Sequence, residues 1–312
     1  MIQATVLLTS LPLVVLALAL LALYTIRWYD LSVKGFDPAR SWANALGEHF
    51  WRPVRAFVAE FLYCLVNGFF LILGLVLRLF GRRSSIPSGK NAVQGAPLVV
   101  LIHGLMSTGV NMWIMKLRLK LRGIRNIAVY DYESTKGPLE LQRDKLRDFL
   151  ATAHQQTGAE GVAFIAHSMG GVIAHDYACQ YGAAWGGTLA LVTTGSPLRG
   201  SRVAALGLSA SARALHPENS YFATAAARRP QAPFVCIGSM YDELVIPYTN
   251  SAHPLADRFE LVDNCGHAGL IYSGQAFGHV MEALRQALPD EAGSESGADQ
   301  VSLPGHPQSG KI

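Results

Sequence analysis

The chain has 312 residues, half of them hydrophobic and only 15% charged, with a formal net charge of +4. That length admits one large catalytic domain or two small ones, and the apolar content lies at the upper edge of globular usage, which excludes an ordinary soluble core as the whole account. The four cysteines, Cys64, Cys179, Cys236 and Cys265, show no C-x-x-C spacing and so exclude a thiolate metal centre.

Residues 5–26 (TVLLTSLPLVVLALALLALYTI) carry no charge, and at 1.5 Å rise per residue they cover the ~30 Å hydrocarbon layer of a bilayer. The run predicts an uncleaved membrane helix. No Lys or Arg precedes it, it exceeds a signal-peptide core, and its only Ala-x-Ala lies inside the run. Residues 61–80 (FLYCLVNGFFLILGLVLRLF) predict a second helix long enough to span, with Asn67 tolerated inside and Arg78 near enough the end to snorkel. The other reading of this segment is a hydrophobic helix lying on the membrane or on the enzyme. Trp28, Tyr29, Trp42 and Trp51 fall near the two segments, where aromatic rings favour the headgroup zone. Arg27, Lys34, Arg40, Arg52 and Arg55 lie between the segments and Arg82, Arg83 and Lys90 follow the second, so the basic residues do not choose a membrane face.

Residues 81–96 (GRRSSIPSGKNAVQGA) read as a linker, and residues 97–289 as the folded domain. From 290 to 312 the chain lacks aromatic residues and apolar periodicity, which predicts a disordered tail. Within the domain, short apolar runs at 98–102, 127–132, 161–166, 189–194, 234–239 and 259–263 predict strands alternating with helices, hence a mostly parallel sheet covered on both faces. Helices are expected after Pro138, from Met169 to about Gln180, and from about Ser273 to Leu288. Residues 114–122 (IMKLRLKLR) alternate with period two like a strand, but a right-handed crossover is needed there and predicts a helix. Lys116, Arg118, Lys120, Arg122 and Arg125 form a basic patch suited to a solvated face or to anionic headgroups; nothing else in the domain accompanies it, so no nucleic-acid role is expected.

The strongest local signal is Ala166-His167-Ser168-Met169-Gly170-Gly171, where an apolar strand gives way at once to a helix. Such a turn needs small residues at 166 and 170 while it lifts the serine hydroxyl out of the sheet, and the helix N-terminus adds free N–H groups beside the reacting oxygen. A serine hydroxyl also needs a positioned imidazole, and the imidazole a carboxylate. Downstream, Asp242 sits in a turn after a strand, with Asp263 as competitor. His267 follows the turn Asn264-Cys265-Gly266, with His253 and His279 as rivals.

These segments resemble the lipase and esterase family of the α/β-hydrolase fold, in the form whose nucleophile elbow carries Ala instead of the usual first Gly. The resemblance runs from about Pro97 to Leu288 and includes TTGSPLRGS at 193–201. It implies an α/β-hydrolase domain preceded by one or two N-terminal membrane helices. Ser168 would be the nucleophile, Asp242 the acid and His267 the base, in the chain order of the fold. Backbone N–H groups of Leu105 and Met169 would form the oxyanion hole, while His103 would shape its loop, with catalysis by its imidazole as the alternative, and His167 would pack beside the elbow. Phe222, Leu206 and Leu208, within residues 198–230, are expected either to line an acyl channel or to pack in the core.

The function expected is membrane-anchored cleavage of carboxylic esters, with a lipid or acyl ester as substrate and the bilayer as partner. The same triad would also serve acyl transfer or thioester cleavage, and a non-catalytic scaffold on this fold is the remaining alternative. No metal or organic cofactor is implied. The cysteines are expected to be free thiols, or, in an exported domain, to include a Cys236–Cys265 disulfide.

Overall fold

The computed structural model of the chain describes residues 2–33, 51–81, 84–87 and 92–288. Lys34, Arg40, Trp42, Arg82, Arg83, Lys90 and the predicted tail from 290 onward lie outside the described residues.

Six strands form one parallel sheet: β1 Leu98–Ile102, β2 Ile127–Tyr130, β3 Val162–His167, β4 Thr188–Thr194, β5 Phe234–Ser239 and β6 Arg258–Val262. Their order is β2-β1-β3-β4-β5-β6, so the direction of winding reverses between β1 and β3. In open α/β sheets ligands bind outside the carboxyl ends of the strands at such a reversal. Successive side chains of a strand point to opposite faces, and both faces of this sheet are covered, so a central strand such as β1 is apolar at every position. Leu98, Val100 and Ile102 of β1 enter one core layer with Phe164, Leu146 and Ile173, while Val99 and Leu101 enter the opposite layer with Ile165, Met115 and Val280.

The helices, in chain order, are α1 Ile2–Val33, α2 Trp51–Leu79, α3 Trp113–Leu121, α4 Leu139–Thr157, α5 Met169–Tyr181, α6 Ala210–Arg213, α7 Ser220–Ala226, α8 Gly269–Tyr272 and α9 Gly274–Ala287. α4 starts after the extended Pro138 and ends at Gly158, whose φ of 60° is left-handed and whose N–H bonds the carbonyl of His154 at 2.7 Å. The period-two segment is helical: α3 buries Met115 and Leu119, and its Arg118 and Arg122 lay their guanidinium groups over Phe277 of α9, at 5.6 and 5.9 Å. Two of the five residues of the expected basic patch therefore serve to pack helix against helix.

Two departures from expectation, at the end of β2 and in the linker, have visible structural causes. β2 stops at Tyr130 because Asp131 and Tyr132 turn away to bond His103. Part of the expected linker docks on the sheet edge, where Ser85 exchanges backbone hydrogen bonds of 2.9 and 2.8 Å with Val129. That bridge covers an edge that would otherwise present unpaired backbone groups. All four cysteines are free.

The second apolar segment forms α2, which begins at Trp51 and is long and apolar enough to cross a membrane. It lies against the sheet domain along its length. Glu60, Asn67 and Gly74 recur every seven residues and so share one helix face. Asn67 Oδ1 accepts hydrogen bonds from Asn111 Nδ2 (2.8 Å) and Tyr272 Oη (3.0 Å), and Tyr63 and Phe70 stack on Tyr272. Gly74 is buried against Thr108, so closely that a Cβ there would sit 2.0 Å from Oγ1. Arg78, expected to reach toward a membrane interface, instead grips Asp131, with Nε 3.1 Å from Oδ2. The opposite face leaves Leu62, Phe69 and Ile72 more than half exposed. α1 also meets the sheet domain near its end, where Arg27 Nε donates to the carbonyl of Met240 at 2.6 Å and Asp30 pairs with Arg202.

Candidate active site

Ser168 is the single residue between β3 and α5, and its backbone sits at φ 56°, ψ −130°. A non-glycine residue at positive φ is strained by roughly 1–3 kcal/mol and persists only where its surroundings over-determine it. Here the Ser168 N–H donates to the carbonyl of Thr194 and its own carbonyl accepts from Gly171 N–H, both at 2.9 Å. The small residues the turn requires have visible causes. Ala166 is wholly buried, and a Cβ on Gly170 would fall 2.4 Å from the carbonyl oxygen of His103. Gly170→Ala is accordingly expected to cost about 1–3 kcal/mol, because backbone rather than a flexible side chain must move. Denaturant unfolding of the variant checks this; stability equal to wild type would contradict it.

Asp242 lies in the turn after β5 and is completely buried. Its Oδ1 accepts from the backbone N–H groups of Leu244 (2.9 Å) and Val245 (2.8 Å), which fixes the carboxylate. His267, after β6, brings Nδ1 to 3.0 and 2.9 Å from the two oxygens of Asp242. With Nδ1 engaged, Nε2 is the nitrogen left to meet a nucleophile. Burial alone would push the His267 imidazole down, but the charge and hydrogen bond of Asp242, helped by the charge of Glu60, outweigh it and hold it above its ordinary value.

The Ser168 and His267 segments are brought together by two contacts. The rings of His167 and His267 are 4.7 Å apart. Gly195, next to the Thr194 carbonyl that holds Ser168, is so close to the acid and base that a Cβ on it would lie 3.2 Å from both Asp242 Oδ2 and His267 Nδ1. His167 itself is buried and faces Thr194 Oγ1 at 3.3 Å; burial, and then His267, push its ring well below the usual imidazole range.

The expected oxyanion loop follows β1. A Cβ on Gly104 would fall 2.6 Å from Ser168 Cβ, so this loop lies directly against the serine and Leu105 comes next. Met169 opens α5, and the first N–H groups of a helix have no acceptor within it. His103 is fully buried, with Nε2 3.0 Å from Asp131 Oδ1, its carbonyl accepting from Tyr132 Oη at 3.0 Å and its ring stacked on Tyr132. It braces the loop. Burial would raise the Asp131 carboxyl, but hydrogen bonds from His103 and Arg78 prevail and hold it well below the usual carboxylate range.

The rivals lie elsewhere. Asp263 is exposed after β6, His253 is buried beside His175 and Phe234, and His279 faces Glu260 from α9 at 3.8 Å. Phe222 is part of the core, whereas Leu206 and Leu208 are exposed at 64% and 97%. Two residues that sequence reasoning missed touch the His267 turn: Glu60 of α2 accepts hydrogen bonds from the N–H groups of Gly266 (2.7 Å), Ala268 (2.6 Å) and Gly269 (3.0 Å), and Glu243 accepts from that of His267 (3.1 Å). The available signal was a carboxylate in line with Asn67 and Gly74 on an otherwise apolar helix. Among the described residues no cluster of His, Cys, Asp and Glu is disposed to hold a metal ion.

Residues 96–226 match the family model Lipase (class 2), a stretch that contains Ser168 and stops before Asp242 and His267. Among solved structures the chain is similar to the mature form of Bacillus licheniformis lipase BlEst2, with 14% identity, a TM-score of 0.53, and coverage of 64% of this chain and 97% of that one. It is also similar to Aspergillus fumigatus lipase B (15% identity, TM-score 0.51, 65% of this chain and 57% of that one). A third is the Pyrococcus furiosus esterase Pf2001 (12% identity, TM-score 0.50, 66% and 93%). At these identities the likeness to the solved structures is one of fold. No curated protein sequence matches the chain.

Proposed function

We propose that this chain, which matches the lipase (class 2) family model over residues 96–226 and shares its fold with lipases and esterases, is a carboxylic ester hydrolase that cleaves lipid or acyl esters at a membrane through an acyl-enzyme on Ser168. The observation that carries this reading is the convergence, at the carboxyl ends of β3, β5 and β6, of a strained serine, a buried aspartate and the histidine bonded to it.

In this reading the reaction runs by acyl transfer to serine. Ser168 Oγ attacks the ester carbonyl carbon while its proton passes to Nε2 of His267, and Asp242 fixes the imidazole through Nδ1 and stabilises the imidazolium. The N–H groups of Leu105 and Met169 stabilise the oxyanion, each such donor being worth ~2.7–4 kcal/mol in the transition state. Collapse breaks the bond to the leaving oxygen, which takes the proton from Nε2. Water, activated by the same nitrogen, then releases the acid and restores Ser168.

The membrane part rests on apolar surface. α1 exposes Val14 at 51% and Leu18 at 60%, and α2 exposes Phe69 at 63% and Ile72 at 65%, a concentration that soluble monomers do not leave in water. In this reading residues 1–80 anchor the enzyme, 81–96 link, 97–289 catalyse and 290–312 form a tail.

Hydrolysis of nitrophenyl esters of increasing acyl length by the full-length protein, in phosphatidylcholine vesicles and in detergent, tests the proposal. A pre-steady-state burst of nitrophenol and faster turnover of long-chain esters in vesicles are expected. Cleavage confined to short soluble esters, unchanged by vesicles, would remove the lipid substrate from the account.

A further inference from the structure

We propose that Glu60, on the apolar helix α2, is a positioning residue for the catalytic histidine, so that α2 is a working part of the active site as well as a membrane-facing helix. The inference rests on the reading of His267 as general base.

Four successive backbone N–H groups, from Gly266 to Gly269, form the turn that carries His267, and all four end on carboxyl oxygens. Glu60 takes three of them and Glu243 the fourth. Glu60 comes from more than 200 residues away in sequence, is completely buried, and uses both oxygens, Oε1 for Ala268 and Oε2 for Gly266 and Gly269. Burying a carboxyl group on an apolar helix costs several kcal/mol unless its hydrogen bonds are satisfied, and here the donors that satisfy it belong to the catalytic loop. The turn is also pinned from the sheet side, where Ser239 Oγ donates to the carbonyl of Cys265. There is no room for slack: a Cβ on Gly266 would lie 2.3 Å from Glu243 Oε2 and 2.7 Å from Glu60 Cδ.

The remaining contacts of α2 continue the same pattern. Asn67 holds Asn111 and Tyr272, Gly74 seats Thr108, and Arg78 holds Asp131, which in turn braces His103. The helix therefore runs as a strap from the histidine turn to the loop that carries Leu105. A helix kept only as an anchor would need none of these polar contacts, since each is paid for in lipid solubility.

Glu60→Gln tests the assignment. A Gln can accept on one side only, and its amide N–H groups would face backbone donors on the other, so the turn loses its fixed position. The full-length variant is expected to lose ~10-fold to 100-fold in kcat on a soluble nitrophenyl ester, the scale of a small misplacement at a reacting group, with KM within about twofold. The groups facing His267 and Glu60 are Asp242, Glu243, His167, Tyr63, Cys64, Cys265 and Tyr24. None is altered by the substitution, so the rise of kcat/KM with pH should move to lower pH as the Glu60 charge is removed. Leu146→Ala, in the core layer away from the histidine turn, separates this from general loosening: it should lower the melting temperature with kcat within about twofold. If Glu60→Gln is not recovered folded, Glu60→Asp carries the kcat comparison alone: its shorter carboxylate keeps the charge, so kcat should fall with the pH profile in place. The inference is overturned if the Glu60 variant keeps wild-type kcat and pH profile, or if both variants lose activity only in proportion to their melting temperatures. Retention of activity by His267→Ala in parallel would instead overturn the assignment of the base.

Discussion

Replacing Ser168 with alanine is expected to reduce kcat for a nitrophenyl ester by ~10⁴–10⁶-fold, leaving whatever the oxyanion donors and substrate binding supply on their own. The expectation follows from the backbone. A chain that holds a non-glycine residue at φ 56° between a buried strand and a helix, with the glycine two positions on pressed against the His103 carbonyl, has its side chain set by the fold. Removing the hydroxyl removes the atom that forms the acyl bond and leaves the cradle unchanged. KM should move little and the variant should fold like wild type, because the alanine methyl occupies space that Cβ already fills. Activity within tenfold of wild type, roughly 1.4 kcal/mol in the barrier, would exclude Ser168 as nucleophile.

Asp242→Asn is the second large effect, with an expected fall of ~10⁴-fold in kcat at neutral pH. The carboxylate is completely buried, accepts two backbone N–H bonds, and receives His267 Nδ1 on both oxygens. An amide at this position presents an N–H to Nδ1, favours the tautomer with the proton on Nε2, and so turns the base away from its task. The pH profile carries an independent sign. In the wild type, kcat/KM rises with pH as His267 loses its proton, and Asp242 holds that transition above the ordinary imidazole value near ~6.5. Without its charge, the residual activity should rise at lower pH. A profile that stays in place while kcat falls would mean that another carboxylate sets the imidazole.

The parts of this protein that are legible in its sequence are those whose cause is local. The strands announce themselves because both faces of the sheet are covered, so runs such as Leu98 to Ile102 are apolar at every position. The elbow is legible because Ala166, Ser168 and Gly170 answer a steric demand within five residues. Asp242 and His267 are legible because each follows a strand in the order the fold requires. What escaped the sequence depends on contacts between distant segments. The end of β2 moves to Tyr130 because Asp131 and Tyr132 are drawn to His103, on another strand. Asn67 and Arg78 look like tolerated polar residues in an apolar helix until Asn111, Tyr272 and Asp131 are found opposite them. Glu60 stands one residue before the apolar run and carries no motif, yet three N–H groups of the histidine turn end on it. A seven-residue spacing of polar and small residues along one face was the only trace of that arrangement in the sequence.

The most direct test of the central claim is mass mapping of a fluorophosphonate adduct on the full-length protein and on Ser168→Ala. A single adduct on the peptide carrying Ser168, lost together with ester hydrolysis in the variant, is the predicted result. An adduct on another serine, or undiminished hydrolysis by Ser168→Ala, would contradict the account.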